Sequence, residues 1–300
     1  MNLPSKVKIK EVGPRDGLQN EKAFIPTDTK VEWINKLSET GMDYIEVTSF
    51  VHPKWIPALA DAMEVAKRIE RKSSVTYAAL VPNRRGLEGA LEADLDEVSI
   101  FMSASETHNQ QNINKSIQNT FPVLKEVVSE ALSSGKKVRG YLSTVFGCPY
   151  DGRVPLSNVQ KVIDELFDMG VYEVSLGDTI GVANPKQMDM VLSQLLQEFP
   201  AEKLALHLHD TRGMALANTV VGLMKGITVF DSAVGGLGGC PYAKGAAGNV
   251  ATEDLIHMLK EMGIETGIDL SKVLTSAKYI ERELGKGLPS KQLQIWNSAI

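Results

Sequence analysis

The chain has 300 residues, 43% hydrophobic and 23% charged, with a formal net charge of −5. This composition excludes a disordered or fibrous chain and a whole-chain basic footprint for nucleic acid; no run approaches the roughly 18 apolar residues of a membrane span. Its two cysteines, Cys148 and Cys240, are too few and too far apart for a disulfide framework or zinc cluster, which points to a reducing, cytoplasmic setting.

No signal-peptide core or Arg-rich transit segment precedes the first strand-like run, Val7–Val12. A helix capped by Thr27 or Asp28 follows, with Val31, Ile34 and Leu37 on one face and Gly41 as its stop. Further runs rich in β-branched and aromatic residues lie at Tyr44–Phe50, Val75–Val81, Glu97–Met102 and Lys137–Thr144. Ser157 or Asn158 caps a second clear helix, carrying Val159, Val162, Ile163 and Leu166 and ended by Gly170. After a run at Glu173–Leu176, Asn184 and Pro185 open a third helix, with Met188, Val191, Leu192 and Leu195 on one face. The last two runs are Leu204–His209 and Val229–Ala233. Starts roughly 20 to 40 residues apart suit one βα unit each and are too long for hairpins. Eight such units predict an α/β fold, a (β/α)8 TIM barrel over residues 1–270. A helix at Ser271–Leu284 and a short tail then form a C-terminal extension over 271–300, packed on the barrel as part of one domain. An open doubly wound sheet is the alternative, and no Gly-x-Gly-x-x-Gly follows the first run to support it.

In such a barrel, chemistry gathers at the C-terminal ends of the strands. Arg15 and Asp16 follow the first run, Glu46 lies in the second, Asp178 and Thr179 follow the sixth, and His207, His209 and Asp210 end the seventh. A glycine-rich loop leads from the eighth run to Cys240. Residues two apart on a strand share a face, so His207 and His209 present two imidazoles together. With oxygen donors from Asp16 and Asn249, they suit a six-coordinate divalent ion such as Mg²⁺ or Mn²⁺ better than structural zinc. Two structural histidines are the competing reading. Arg15 can aim a permanent charge at a developing oxyanion, although Gly-Pro-Arg-Asp-Gly is also ordinary turn chemistry. Cys240, in an exposed loop, reads as an acid/base group or nucleophile, and Cys148 as packing or pocket lining.

Together these segments resemble the 3-hydroxy-3-methylglutaryl-CoA lyase family, within a wider group of metal-dependent barrel lyases and Claisen-type synthases. The likeness rests on Arg15-Asp16-Gly17 with Gln19-Asn20-Glu21, on Ile45-Glu46-Val47-Thr48-Ser49-Phe50, on Leu176-Gly177-Asp178-Thr179 and on His207-Leu208-His209-Asp210. Gly236-Leu237-Gly238-Gly239-Cys240-Pro241-Tyr242-Ala243-Lys244-Gly245, continuing to Gly248-Asn249, is the segment specific to the lyases.

The resemblance implies cleavage of 3-hydroxy-3-methylglutaryl-CoA to acetyl-CoA and acetoacetate, in leucine breakdown, by a leaderless cytoplasmic homodimer using a divalent metal. It implies metal ligands at Asp16, His207, His209 and Asn249, and catalytic positions at Arg15, Glu46, Asp178, His207, Cys240 and Glu253. In that chemistry Asp178 or His207 is the base for the substrate hydroxyl, Arg15 stabilises the departing enolate, and Cys240 protonates it. Glu46 orients Arg15 or waters, and Glu253 supports the loop or proton path. Arg15, Gln19, Ser49, Asn112 and Thr179 are candidate contacts to the acyl-CoA. The basic residues Lys22, Lys54, Arg84 and Arg85 are candidates for its phosphates, and Asn109, Gln111, Asn112 and Asn114 for its pantetheine arm. Alternatives are a lyase for a related 3-hydroxyacyl-CoA, a synthase or aldolase of the same group, and a metal-binding barrel without turnover.

Overall fold

The computed structural model describes residues 3–21, 24–238 and 248–298. Eight parallel strands pair in chain order and close on themselves: β1 (Lys8–Glu11), β2 (Tyr44–Ser49), β3 (Thr76–Leu80), β4 (Glu97–Ser103), β5 (Lys137–Ser143), β6 (Glu173–Asp178), β7 (Leu204–Leu208) and β8 (Val229–Ser232). Among the described residues the helices are α1 (Thr27–Ser38), α2 (Ala62–Arg68), α3 (Arg84–Glu92), α4 (Glu106–Ile113), α5 (Ile117–Ser133), α6 (Leu156–Asp168), α7 (Pro185–Leu195), α8 (Ala215–Met224), α9 (Thr252–Glu261), α10 (Leu270–Leu284) and α11 (Lys291–Ser298). The chain is a TIM barrel with C-terminal helices. Each predicted strand is present, within a residue or two at its ends.

The helix starts differ at two places. α1 and α6 begin after Pro26 and Pro155, not after hydroxyl or Asp caps. Each proline sits at the N-cap in an extended conformation and offers no side-chain acceptor, and the Thr27 hydroxyl donates instead to Asp61 at 2.8 Å. α7 starts as expected, with the Asn184 side chain accepting from Gln187 N–H at 3.1 Å. α10 is capped by Asp269, which accepts from Ser271 and Lys272 N–H. It packs against α1, α9 and α11, so the C-terminal segment sits on the barrel wall.

Strand alternation divides the barrel into two environments. Ile9, Ile45, Val98, Ile100, Val138, Val174, Leu176, Leu204, Leu206 and Phe230 are buried in the continuous apolar core. The alternate positions are polar: Lys10, Glu46, Ser99, Arg139, Tyr141, Ser175, His207 and Asp231, all buried. Contacts between non-neighbouring strands, such as Arg139 on β5 with Asp231 on β8 at 2.8 Å, must cross the barrel interior. The inside of this barrel is therefore filled with polar and ionised side chains, and the apolar core lies between sheet and helices.

Candidate active site and metal centre

The turn after β1 builds the first wall of the site. Residues Gly13–Gly17 form one π-helical turn. The Val12 carbonyl accepts the N–H groups of Arg15, Asp16 and Gly17 at 3.1, 2.7 and 3.2 Å. This aims Arg15 inward, where it is 5% exposed. Its Nε donates to Glu46 Oε2 and its Nη1 to Asp16 Oδ1, both at 2.5 Å. Tyr141 completes the cluster: its ring lies 5.1 Å from the Arg15 guanidinium, and its hydroxyl donates to Glu46 Oε2 at 3.1 Å. Glu46 is fully buried behind Arg15, so it anchors the guanidinium rather than facing the pocket.

The second wall comes from β7. His207 and His209 share a face as strand geometry requires, with their Nε2 atoms 3.3 Å apart. Asp16 Oδ2 lies 3.8 Å from His207 Nε2 and 4.0 Å from His209 Nε2. It also accepts the Asn249 Nδ2 amide hydrogen at 2.7 Å. Asn249 is brought in because its backbone pairs with His209 in an isolated antiparallel bridge. Burial pushes the Asp16 carboxyl up, but Arg15, the two imidazoles and Asn249 outweigh it and hold the group down at about 2. Burial, reinforced by His207, lowers His209 to about 4, so its ring is neutral at pH 7 and offers a lone pair.

These donors fit one divalent ion. Ligands each about 2.1 Å from a common octahedral centre are about 3.0 Å apart when adjacent and 4.2 Å apart when opposite. The observed separations of 3.3, 3.8 and 4.0 Å fall within that span. Asn249 Oδ1 is buried and without a hydrogen-bond partner, a spare oxygen donor of the kind such an ion takes. Behind His207, Nδ1 lies 3.2 Å from Asp231 Oδ2. Burial pushes the Asp231 carboxyl up, yet Arg139 and His207 hold it well below the usual range.

Arg15, Asp16, Gln19, Thr179, His207 and His209 line one pocket of about 480 Å³. Asn112 and Lys115, both exposed, stand at its rim with Asn83 and Trp55. Gln19 Oε1 is buried without a partner, and the Thr179 hydroxyl accepts from Thr144 N–H at 2.8 Å.

Other predicted residues are placed elsewhere. Asp178 shares the outward parity of Leu176, and its two oxygens accept Val182 and Ala183 N–H at 2.9 and 3.0 Å. Burial raises its pKa. It braces a turn beside pocket-lining Gly177 and Thr179, close enough to His207 for the imidazole to lower its pKa against the effect of burial. Ser49 ends β2 with its hydroxyl accepting from Val51 N–H, and it too stays out of the pocket. Glu253 accepts Gly235 N–H through both oxygens at 3.0 Å; it braces the loop after β8 from behind. Asn109 is fully buried, donating to Lys115 O and Thr120 Oγ1, and Arg84 pairs with Glu88, Glu126 and Glu130. Burial closes Asn109 off from a CoA arm, whereas Arg84 stays exposed among surface ion pairs. Cys148 is buried, its sulfur accepting from Tyr150 and Asp151 N–H at 3.3 Å, in keeping with packing.

Cys240 and Lys22 lie outside the described residues. The described glycines on either side of the Cys240 segment, Gly238 and Gly248, meet each other, and a Cβ on Gly238 (φ +98°) would lie 2.5 Å from Asn249 Nδ2. Gly238 thus lies beside the candidate metal donors Asp16 and Asn249.

Sequence reasoning missed Tyr141, Asp231, Arg139 and Ser175. Their signal was present: a charged or polar residue at every second place within an otherwise apolar strand.

A family profile described as HMGL-like matches residues 6–280. The chain is 59% identical over 299 residues, the whole of both proteins, to the hydroxymethylglutaryl-CoA lyase YngG of Bacillus subtilis. It is similar to a crystal structure of the B. subtilis HMG-CoA lyase, with a TM-score of 0.98 and 59% identity over 99% of this chain and 100% of that one. A structure of an HMG-CoA lyase from Acinetobacter baumannii in complex with coenzyme A and 3-methylmalate matches with a TM-score of 0.93 at 38% identity, over 98% of this chain and 96% of that one.

Proposed function

The chain belongs to the HMGL-like family, and we infer from that premise and from the site that it is a hydroxymethylglutaryl-CoA lyase. It is a carbon–carbon lyase that splits 3-hydroxy-3-methylglutaryl-CoA into acetyl-CoA and acetoacetate. The observation that carries this reading is the convergence of Arg15 with Asp16, His207 and His209 in one pocket, all three metal donors lying within 4.8 Å of one another.

Asp16, His207, His209 and Asn249 would hold a Mg²⁺ or Mn²⁺ ion. Such an ion supplies Lewis acidity that orients the substrate and acidifies its C3 hydroxyl. Loss of the hydroxyl proton lets the C3–O bond become the ketone of acetoacetate. The electron pair of the C2–C3 bond then moves onto the thioester, giving an enolate. Arg15 faces the pocket with its fork fixed by Glu46 and Asp16, so its charge meets the enolate oxygen without reorganising. The enolate carbon finally takes a proton, a role we assign to the Cys240 thiol, whose ordinary pKa near 8.5 suits proton exchange around neutrality.

Asp178 is already engaged by two backbone N–H groups, which favours His207 of the two candidate bases. One Nε2 lone pair cannot hold an ion and take a proton together, so His207→Gln separates the two duties. Loss of Mn²⁺ binding marks a ligand, and retained binding with lost turnover marks the base.

The exposed Asn83, Asn112 and Lys115 at the rim, above apolar Leu80, Phe101 and Leu124, support an acyl-CoA whose pantetheine arm runs outward along this side. A reducing cytoplasm, a place in leucine breakdown and a homodimeric state complete the proposal; sedimentation tests the last. The decisive assay offers the purified protein several 3-hydroxyacyl-CoA thioesters with Mg²⁺ or Mn²⁺. Acetoacetate from the 3-methylglutaryl thioester alone supports the assignment, and its absence there refutes it. Normal turnover in Cys240→Ala would remove the proton-donor role.

A further inference from the structure

A column of ionised side chains runs down the barrel axis from His207. Asp231 Oδ2 lies 3.2 Å from His207 Nδ1 and accepts the Ser175 hydroxyl at 2.6 Å. Arg139 grips Asp231 with both terminal nitrogens, at 3.2 and 2.8 Å, and Glu173 with Nε at 2.6 Å. Lys10 Nζ continues the column, donating to Tyr172 at 2.7 Å and lying 2.9 Å from Glu173. Charges alternate in sign along it. Arg139 and Asp231 are at most 1% exposed, and neither lines the pocket.

Stability alone does not account for such a column. Ion pairs taken out of water bear a desolvation cost that their attraction often only offsets, and apolar residues of similar volume commonly do as well or better. The column could move protons or hold a ring. Proton movement fails at Arg139, because a guanidinium does not give up its proton in a protein, and Arg139 is the link between Asp231 and Glu173.

We propose that Asp231, itself clamped by Arg139, is a positioning residue for His207. Its carboxylate accepts the Nδ1 hydrogen, which selects one tautomer and locks the ring plane. Nε2 is left as a lone pair facing Asp16 and His209. That lone pair is required whether His207 binds the ion or takes the proton. Arg139 acts one step further back, fixing both Asp231 oxygens so that the carboxylate cannot rotate away. The inference rests on the placement of His207 in the active site made above, and it adds the residues that make His207 competent. Carboxylates behind metal-ligating imidazoles hold ring orientation and ligand basicity in this way.

The test has two arms. In the first, metal-free wild-type protein with ¹⁵N-labelled histidine is examined by NMR, the His207 signals being assigned by their loss in His207→Gln. The Nδ1–H tautomer is expected, and Asp231→Asn should convert a substantial fraction to Nε2–H. In the second, Mn²⁺ titration followed by EPR should show binding about 10- to 100-fold weaker in Asp231→Asn. Arg139→Lys, which keeps the charge and loses the fork, should fall between. A wild-type His207 with hydrogen on Nε2 overturns the proposal, whether or not either variant folds. So does an Asp231→Asn protein with unchanged tautomer and Mn²⁺ affinity within about twofold of wild type. If wild-type protein takes up no Mn²⁺, the metal reading fails while the tautomer arm still judges Asp231.

Discussion

Glu253→Gln tests whether a buried acid ties the loop after β8 to the pH of the medium. Glu253 is fully buried in the first turn of α9 and binds Gly235 N–H through both oxygens. Burial raises its pKa from 4.5 to about 8, against the lowering effect of the Gly235 hydrogen bond. Between those two pH values the folded protein keeps a proton that the unfolded chain has released. The contribution to stability is therefore fully present below pH 4.5 and is lost as pH rises through about 8. The slope is about 1.4 kcal/mol per pH unit, so a rise from pH 6 to pH 8 removes roughly 2.5 kcal/mol. Glutamine keeps an acceptor for Gly235 and never ionises, so the variant should gain about that much on wild type over the same interval. Glu11, raised to about 7 by burial and bonded to Val234 N–H, is present in both proteins and cancels in the difference. Urea unfolding at the two pH values, followed by tryptophan fluorescence, measures the gain. Hydrogen exchange at the Gly235 amide reports it locally. A variant-to-wild-type difference constant to within about 0.5 kcal/mol would refute the reasoning.

Two further outcomes follow from the site. Arg15→Lys keeps a positive charge and loses the fork that holds Glu46 and Asp16, so kcat should fall about 10²- to 10³-fold with a smaller change in KM; equal kcat values would show that the fixed fork does not stabilise the enolate. Gly238→Ala places a side chain at φ +98° with its Cβ 2.5 Å from the Asn249 amide. Mn²⁺ affinity should drop about tenfold with the circular dichroism spectrum unchanged, and undiminished affinity would mean that Asn249 yields without consequence.

The barrel was legible because its signals are local and repeated. Eight apolar runs at βα spacing leave little room for another α/β closure, and helix stops at Gly41 and Gly170 carry positive φ in the structure. The two differing helix starts have one cause: Pro26 and Pro155 occupy the N-cap positions, while nearby Thr and Ser look like caps but are not used so. Asp16, His207 and His209 were legible for a different reason. Two residues apart on a strand is a geometric statement, and the first turn of a barrel opens onto the same mouth as the seventh strand. Asn249 depended on the resemblance as much as on placement, because the bridge that seats it beside His209 is irregular backbone with no sequence period.

Parity separates the strand side chains that enter the barrel from those that face away from it. Asp178 is a carboxylate at a strand end in a recognised motif, which alone says nothing of the side it faces. Counting by twos from buried Leu176 puts it outside, where two backbone N–H groups need an acceptor. The same count puts Arg139 inside with Tyr141, and Asp231 inside opposite His207 in the strand register. A charge at an inward position of an apolar strand has to be paired, because burying it alone costs several kcal/mol. Each of Lys10, Arg139, Glu173 and Asp231 thus predicted another within reach. What the sequence could not convey is who pairs with whom across the barrel. That depends on the stagger of eight strands, a property of the closed sheet and of no single segment. Asp231 behind His207 is such a pairing, visible only once the sheet closes.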